Sequence, residues 1–211
     1  MLKQSPDLRN SGLDHKDQQL LKRLNTPAKI QDYLNKLKFD FTDGDRVDRS
    51  VKGTLKKGKT DCAGGAVLAA AALWANGRKP LLLDLKVTRP DFDHVLTLFK
   101  EGDSWGAISK TNHAVLRYRE PVYKSVRELV MSYFHEYFLF DGQKTLRSFS
   151  KPFDLSRHGT GWLTEKEKVI ELIYLLDHSP HTQILSDKQI ENLRKAEPIE
   201  IRAGQIVQYK N

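Results

Sequence analysis

Apolar residues recur along most of this chain at helical spacing, and the places where that rhythm changes mark out its elements. Residues 16–24 set leucines at 20, 21 and 24 among charged side chains, the stripe of a helix with one buried face. A second helix is predicted from Thr26 as N-cap with Pro27 in the first turn. The hydroxyl accepts from an otherwise unpaired amide, and proline presets φ. Ile30, Tyr33 and Leu37 form its apolar side. Between 38 and 59, Asp, Arg, Gly and Lys crowd out apolar residues, which predicts an extended connection with little regular structure, of the kind that borders clefts.

The run 60–74 reads Thr-Asp-Cys-Ala-Gly-Gly-Ala-Val-Leu-Ala-Ala-Ala-Ala-Leu-Trp and is apolar on nearly every side. It predicts a buried central helix that ends near Asn76 with Gly77 as C-cap, its alanines letting a sheet approach closely. The period then drops to two. Residues 81–87 predict a strand, and 95–99 and 105–108 predict two more around the turn residues Glu101, Gly102, Asp103 and Ser104, with a third strand of that group at 114–118. Past Pro121 the helical spacing returns: a long aromatic-rich helix at 122–138, one at 164–176 with Thr164 and Glu167 as a capping box, and one at 186–196. In 122–138, Tyr133, Phe134, Tyr137 and Phe138 are read as core. Residues 199–209 alternate like a strand.

This order, helices, then a central helix, then antiparallel strands, then helices, predicts the α+β class. A chain of 211 residues with 39% hydrophobic content can bury one substantial core. The domain reading is a 1–25 N-terminal extension, a 26–120 core, and a 121–211 helical region packed on or extending that core.

Charge changes this picture little. The net charge of +8 comes from 35 Lys and Arg against 27 Asp and Glu, interleaved along the chain, so it reads first as a solvated surface. A basic protein keeps nucleic acid among its possible ligands, but the sequence shows no nucleic-acid module, aromatic-studded basic stripe or zinc spacing to support it. The first 20 residues lack the apolar stretch of a secretory signal, and the longest apolar segments fall well short of the roughly 20 residues that cross a bilayer. The expectation is a soluble protein with no membrane association. Its single cysteine excludes an internal disulfide and fits a reducing, cytoplasmic setting.

That cysteine carries the candidate chemistry. A thiol is a strong nucleophile as the thiolate, which a helix N-terminus and a nearby imidazolium both favour, lowering the pKa from about 8.5 to about 3.5–7.5 in such settings. Cys62 opens the predicted central helix, followed by Ala63, Gly64 and Gly65, small enough to leave main-chain N–H groups uncovered for an oxyanion. The two glycines serve equally well for close helix–sheet packing. His94 begins a strand soon after this helix, and a hairpin of this length brings residues 109–112 beside it. Ser109 fits by spacing and Asn112 by chemistry, as the group that would accept the ring's other N–H; a strict strand puts the two on opposite faces unless a bulge intervenes. Asp103 lies in the turn, too far away.

Gly58-Lys59-Thr60-Asp61-Cys62, the alanine-rich helix, the Gly77 break, Asp93-His94 and the turn ending in Trp105 resemble the transglutaminase-like superfamily of papain-related proteins over roughly residues 27–118. The resemblance implies a cysteine, a strand histidine and an acid on the adjacent strand, acting on an amide or peptide bond of a peptide or protein substrate through a thioester, with no cofactor. This chain departs from the pattern four residues past the hairpin tryptophan, where Ser109 stands in place of the usual aspartate. A binding or structural protein that kept the fold and lost turnover is the rival reading. Other histidines, including His113, His135, His158 and the His178/His181 pair, suggest a metal only weakly, since Pro180 interrupts the last pair and no carboxylate accompanies it. Trp162 is either a hydrophobic staple or a cleft wall.

Overall fold

The computed structural model describes residues 8–42 and 47–210, so the predicted connection at 38–59 and the first 25 residues fall partly outside the described residues. The architecture is α+β. Helix α1 (His15–Arg23) starts at Asp14, whose carboxylate accepts from Asp17 N–H, and α2 (Pro27–Lys36) starts at Thr26, whose hydroxyl accepts from Lys29 N–H. The 38–59 stretch is more ordered than its composition suggested. It holds β1 (Lys38–Phe39), α3 (Val51–Lys57) and β2 (Lys59–Thr60), with β1 and β2 pairing in parallel. Ser50 caps α3 through Gly53 N–H, and Gly58 ends it in the left-handed region at φ 65°, signals that a count of apolar residues does not register.

The central helix α4 spans Cys62–Ala75 and is buried along most of its length. It closes as predicted. Gly77 at φ 78° lets its own N–H reach Trp74 C=O and that of Arg78 reach Leu73 C=O, the paired bonds of a Schellman ending. The main sheet consists of β3 (Leu81–Val87), β4 (His94–Glu101), β5 (Ser104–Ile108), β6 (Arg119–Tyr123), β7 (Leu146–Ser150), β8 (Phe153–Asp154) and β9 (His181–Gln183). It is ordered β6-β5-β4-β3-β7-β9, with β8 also on β3 and all these pairs antiparallel.

The sheet is covered on both faces. Leu82, Val95, Phe99 and Ile108 meet α4 and the N-terminal helices, while Leu83, Leu85, Leu96, Leu98 and Ala107 meet Tyr133, Phe134, Tyr137 and Phe149. This explains why β3 reads as a nearly unbroken apolar run instead of an alternation. Thr97 Oγ1 donates to Ala66 C=O at 2.6 Å, tying β4 to α4 where the helix begins. Gly65 allows the same close approach on another side: a Cβ there would stand 2.4 Å from Lys110 Cβ.

Several expected elements are different. Residues 114–118 lie outside any strand, and the third strand is β6 at 119–123, where Pro121 is tolerated on a sheet edge. The long helix at 122–138 is instead the end of β6, a short α5 (Val126–Met131) and a 3-10 turn at 134–136. The edge of β5 takes residues 119–123 as its partner. The aromatic positions that mimicked helical periodicity are buried by tertiary packing, with the Arg119 guanidinium 4.0 Å above the Tyr133 ring. Tyr133, Phe134 and Tyr137 are core, as expected, and Phe138 is partly buried.

Helix α6 (Lys166–Asp177) begins after Glu165 with no capping side chain, because the 3-10 turn at 161–163 takes up the preceding residues. Helix α7 (Asp187–Glu191) is shorter than predicted but starts on a true capping box of Ser186 and Gln189. Residues 199–209 are not one strand. Pro198 at the first helical position and Glu200 accepting from Glu197 N–H nucleate α8 (Pro198–Gly204). Trp162 is 1% exposed and stacks on Trp74, which places it in the core and not on a cleft wall. From the C-terminal third of the chain, β7 pairs with β3 in the main sheet. No helix among the described residues is long and apolar enough to cross a membrane.

The fit of α4 is testable. Gly65→Ala should destabilise the protein by about 1–3 kcal/mol in urea unfolding, the overpacking cost exceeding the gain of about 1 kcal/mol from alanine's better helix propensity. Unchanged or increased stability would mean that the Lys110 side chain yields at no cost.

Candidate active site

Cys62 occupies the first turn of α4, immediately after the strand pair β1–β2 delivers the chain to the helix. Its N-cap, Asp61, has both carboxylate oxygens engaged: Oδ1 accepts from Gly64 N–H at 2.9 Å, and Oδ2 accepts from Arg49 Nε at 2.5 Å. Gly65 N–H bonds to Asp61 C=O. The amides of Gly64 and Gly65, expected to be uncovered, are therefore taken. Their small size has a steric cause, since a Cβ on Gly64 would fall 2.2 Å from Thr60 Oγ1 and one on Gly65 would strike Lys110. The Ala63 amide in this first turn, together with that of Val95 on β4, remains as a main-chain donor beside the sulfur.

His94, 6% exposed, begins β4 and is aligned by its pairing with Leu85 on β3. Its Nε2 lies 2.8 Å from Ser109 Oγ, and that oxygen lies 2.5 Å from Leu116 C=O. A hydroxyl has one hydrogen, and a carbonyl can only accept, so the Ser109 hydrogen goes to Leu116. Nε2 must then be the donor to Ser109. Neutral His94 is fixed as the Nε2–H tautomer, with its lone pair on Nδ1, to which no described residue hydrogen-bonds.

Ser109 is itself held by a residue that spacing alone offers little reason to select. Gln31 on α2 accepts from Ser109 N–H at 3.0 Å and donates to Ser109 C=O at 2.8 Å. Leu116 has φ 61°, an uncommon conformation for leucine, and its N–H donates to Glu136 Oε2, while Glu136 Oε1 pairs with Arg119. A side-chain amide at helical spacing toward the core is the only trace of Gln31 in the sequence.

Asn112 makes no hydrogen bond to His94. Its Nδ2 donates to Tyr209 C=O and its Oδ1 accepts from Tyr209 N–H, each at 2.9 Å. The chain leaves the sheet after Ile108, so strand alternation no longer governs, and Ser109 reaches the ring while Asn112 turns to the segment after α8. Asp103 is in the exposed turn.

Cys62 and His94 open onto one cleft of about 660 Å³, whose walls include Phe39, Phe41, Leu116, Tyr137, Phe138 and Phe140. Tyr137 is 3% exposed, and its hydroxyl is the one buried side-chain polar atom among the described residues with no hydrogen-bond partner. Such a group is costly to leave unmatched unless a ligand completes it.

Electrostatically the pair is not the ion pair that the helix terminus suggested. Burial, with the Asp61 carboxylate adding to it, pushes the Cys62 thiol up to about 12, against the opposing pull of the Val95 and Ala63 amides and Arg49. Burial, with nearby His113, pushes His94 down to about 4. At neutral pH both are uncharged. On the far side of Cys62 burial raises buried Asp84 to about 6, opposed by Lys86 and by His181, which bonds to it at 3.2 Å. His178 lies against Tyr174, and no group of three His, Cys, Asp or Glu among the described residues could hold a metal.

The low His94 value has a signed consequence. Between about pH 6.5 and pH 4 the unfolded histidine binds a proton that the folded one refuses, so this group's contribution to stability falls with pH by on the order of 3 kcal/mol. Asp84 acts in the opposite sense, since its folded form holds a proton that the unfolded form releases above about pH 4. The test is therefore a difference: wild type minus His94→Gln, by urea unfolding at each pH, should decline through that window. A flat difference would show that the ring is protonated in the fold.

No family model matches the chain, and no curated protein matches it.

Proposed function

We propose that the protein is a cysteine-dependent acyltransferase or amidase, as the resemblance to the transglutaminase-like superfamily implies. The observation that carries this reading is His94. Its proton is locked on Nε2 by Ser109, which leaves the lone pair on Nδ1 of a residue that lines the same cleft as Cys62. With a neutral thiol and a neutral imidazole, the ring acts as general base during attack and does not pre-form a thiolate. The Cys62 sulfur bonds to the carbonyl carbon as its proton passes to His94 Nδ1. The C–N bond then breaks, with that proton going to the leaving amine. Water or a second amine then attacks the thioester carbon, giving its proton to His94; the C–S bond breaks, the acid or new amide leaves, and that proton returns to the sulfur to regenerate the thiol. Ser109 orients the ring without taking charge, and the unmatched Tyr137 hydroxyl is a ready donor to the oxygen that becomes negative.

The inert reading has one observation in its favour: Asp61 and burial both disfavour the thiolate. The two readings separate on turnover of short peptide anilides, with and without an added primary amine. The proposal expects activity lost in Cys62→Ala and reduced about 10²–10⁴-fold in His94→Ala. Because the base works uncharged, kcat/KM should rise with pH through a limb near 4 and show no falling limb below about pH 9. A falling limb near neutrality would indicate a thiolate–imidazolium pair, and turnover that survives Cys62→Ala would sink the proposal.

Tyr137→Phe should lower kcat about 10²-fold with KM nearly unchanged, the mark of a bond made to the transition state alone. An unaffected kcat would remove Tyr137 from the site.

A further inference from the structure

The segment after α8 lies along the chain just beyond Ser109 in an antiparallel bridge. Ala114 N–H donates to Ile206 C=O at 2.9 Å, Gln208 N–H donates to Asn112 C=O at 2.8 Å, and His113 sits opposite Val207. Asn112 adds two bonds to the main chain of Tyr209. Every one of these contacts reads backbone, so the edge selects for extended conformation and not for side-chain identity. The occupant contributes little else. No residue from 197 to 210 is buried, and Ile199, Ile206 and Val207 are among the most exposed apolar side chains of the protein. Among the described residues it is also linked by His113 Nδ1 with Gly204 C=O at 2.9 Å, by two bonds of 3.5 Å from Gln208 and Tyr209 to α2 and the residue that follows it, and by Lys110 beside the Tyr209 ring. Residues 111–113 on the edge and Gly204 and Gln205 on the occupant line the same cleft as Cys62 and His94.

We propose that residues 112–114 form a docking strand for an extended polypeptide, with Asn112 as the reader of its main chain, and that residues 206–209 occupy this strand as an internal competitor. The proposal rests on the acyl-transfer reading only in calling that polypeptide the substrate. An incoming chain pairs with 112–114 as residues 206–209 do now, lies along the cleft, and delivers a peptide bond to Cys62. The substrate class is thus an unfolded or loop segment of a protein, not a compact small amide, and engagement requires residues 206–209 to leave.

Gln208→Pro in the full chain removes a bridge donor while leaving Asn112 in place. Amide exchange should show protection lost at 206–209. An acetylated synthetic peptide with the sequence of residues 203–210 should then shift the amide resonances of 112–114, binding about tenfold or more tightly than to wild type, whose tethered segment competes. Adding Asn112→Ala should abolish the shifts. If the proline disturbs folding, Asn112→Ala alone provides a second reading, since it should speed exchange at 207–210 with the melting temperature held. Protection retained in Gln208→Pro, peptide that leaves the 112–114 resonances unmoved, or equal binding to the double variant would each overturn the docking strand. Peptide binding without Cys62-dependent turnover would defeat the acyl-transfer reading and leave the docking strand standing.

Discussion

The Ser109 hydroxyl has a single hydrogen, and the carbonyl of Leu116 takes it. From that follow the direction of the His94–Ser109 bond, the proton on Nε2 and the lone pair on Nδ1. In the familiar arrangement a carboxylate orients the ring and also stabilises it once charged. A serine committed elsewhere can do only the first. A buried imidazole with a neutral neighbour pays heavily for protonation, which agrees with a value pushed down to about 4. The orienting group and the electrostatics thus agree on a base that is uncharged at rest.

The environment of the sulfur follows the same logic. Asp61 begins α4 by accepting from Gly64, and Arg49 balances its charge. The carboxylate that starts the helix also disfavours a negative sulfur beside it. Helix formation and thiolate formation make opposite demands on this residue, and the fold answers the first. On the proposed reading, negative charge forms at this place only while substrate is covering it, as the proton passes to His94.

Much of the fold was legible because its signals are local. Thr26-Pro27 and Gly77 stop and start helices through bonds to nearby amides, and the Gly102-Asp103 turn sets the register of β4 and β5. The errors came where a distant partner decides the outcome. Residues 119–123 are a strand because β5 has an edge to fill, and the aromatics at 133, 134 and 137 are buried by a sheet face, not by a helix of their own. Cys62, His94 and Ser109 could be placed by spacing. The division of labour between Ser109 and Asn112 could not, because it depends on where the chain departs from strand geometry and on a carbonyl at 116. Gln31 leaves only its helical spacing as a mark in the sequence and the unmatched Tyr137 hydroxyl leaves none, since each matters only through what stands opposite it.

Gln31 gives the helices that precede the sheet in the chain a further significance. It clasps both main-chain groups of Ser109 from α2, so the tautomer of His94 depends on residues 31, 94, 109 and 116 having all met. A partly made chain, or one trimmed to the strands and α4, contains the sulfur and the imidazole but lacks the means to decide which ring nitrogen bears the hydrogen. The chemical character of the site is thus a property of the completed fold, and α2, which precedes every strand of the main sheet in the chain, closes the assembly.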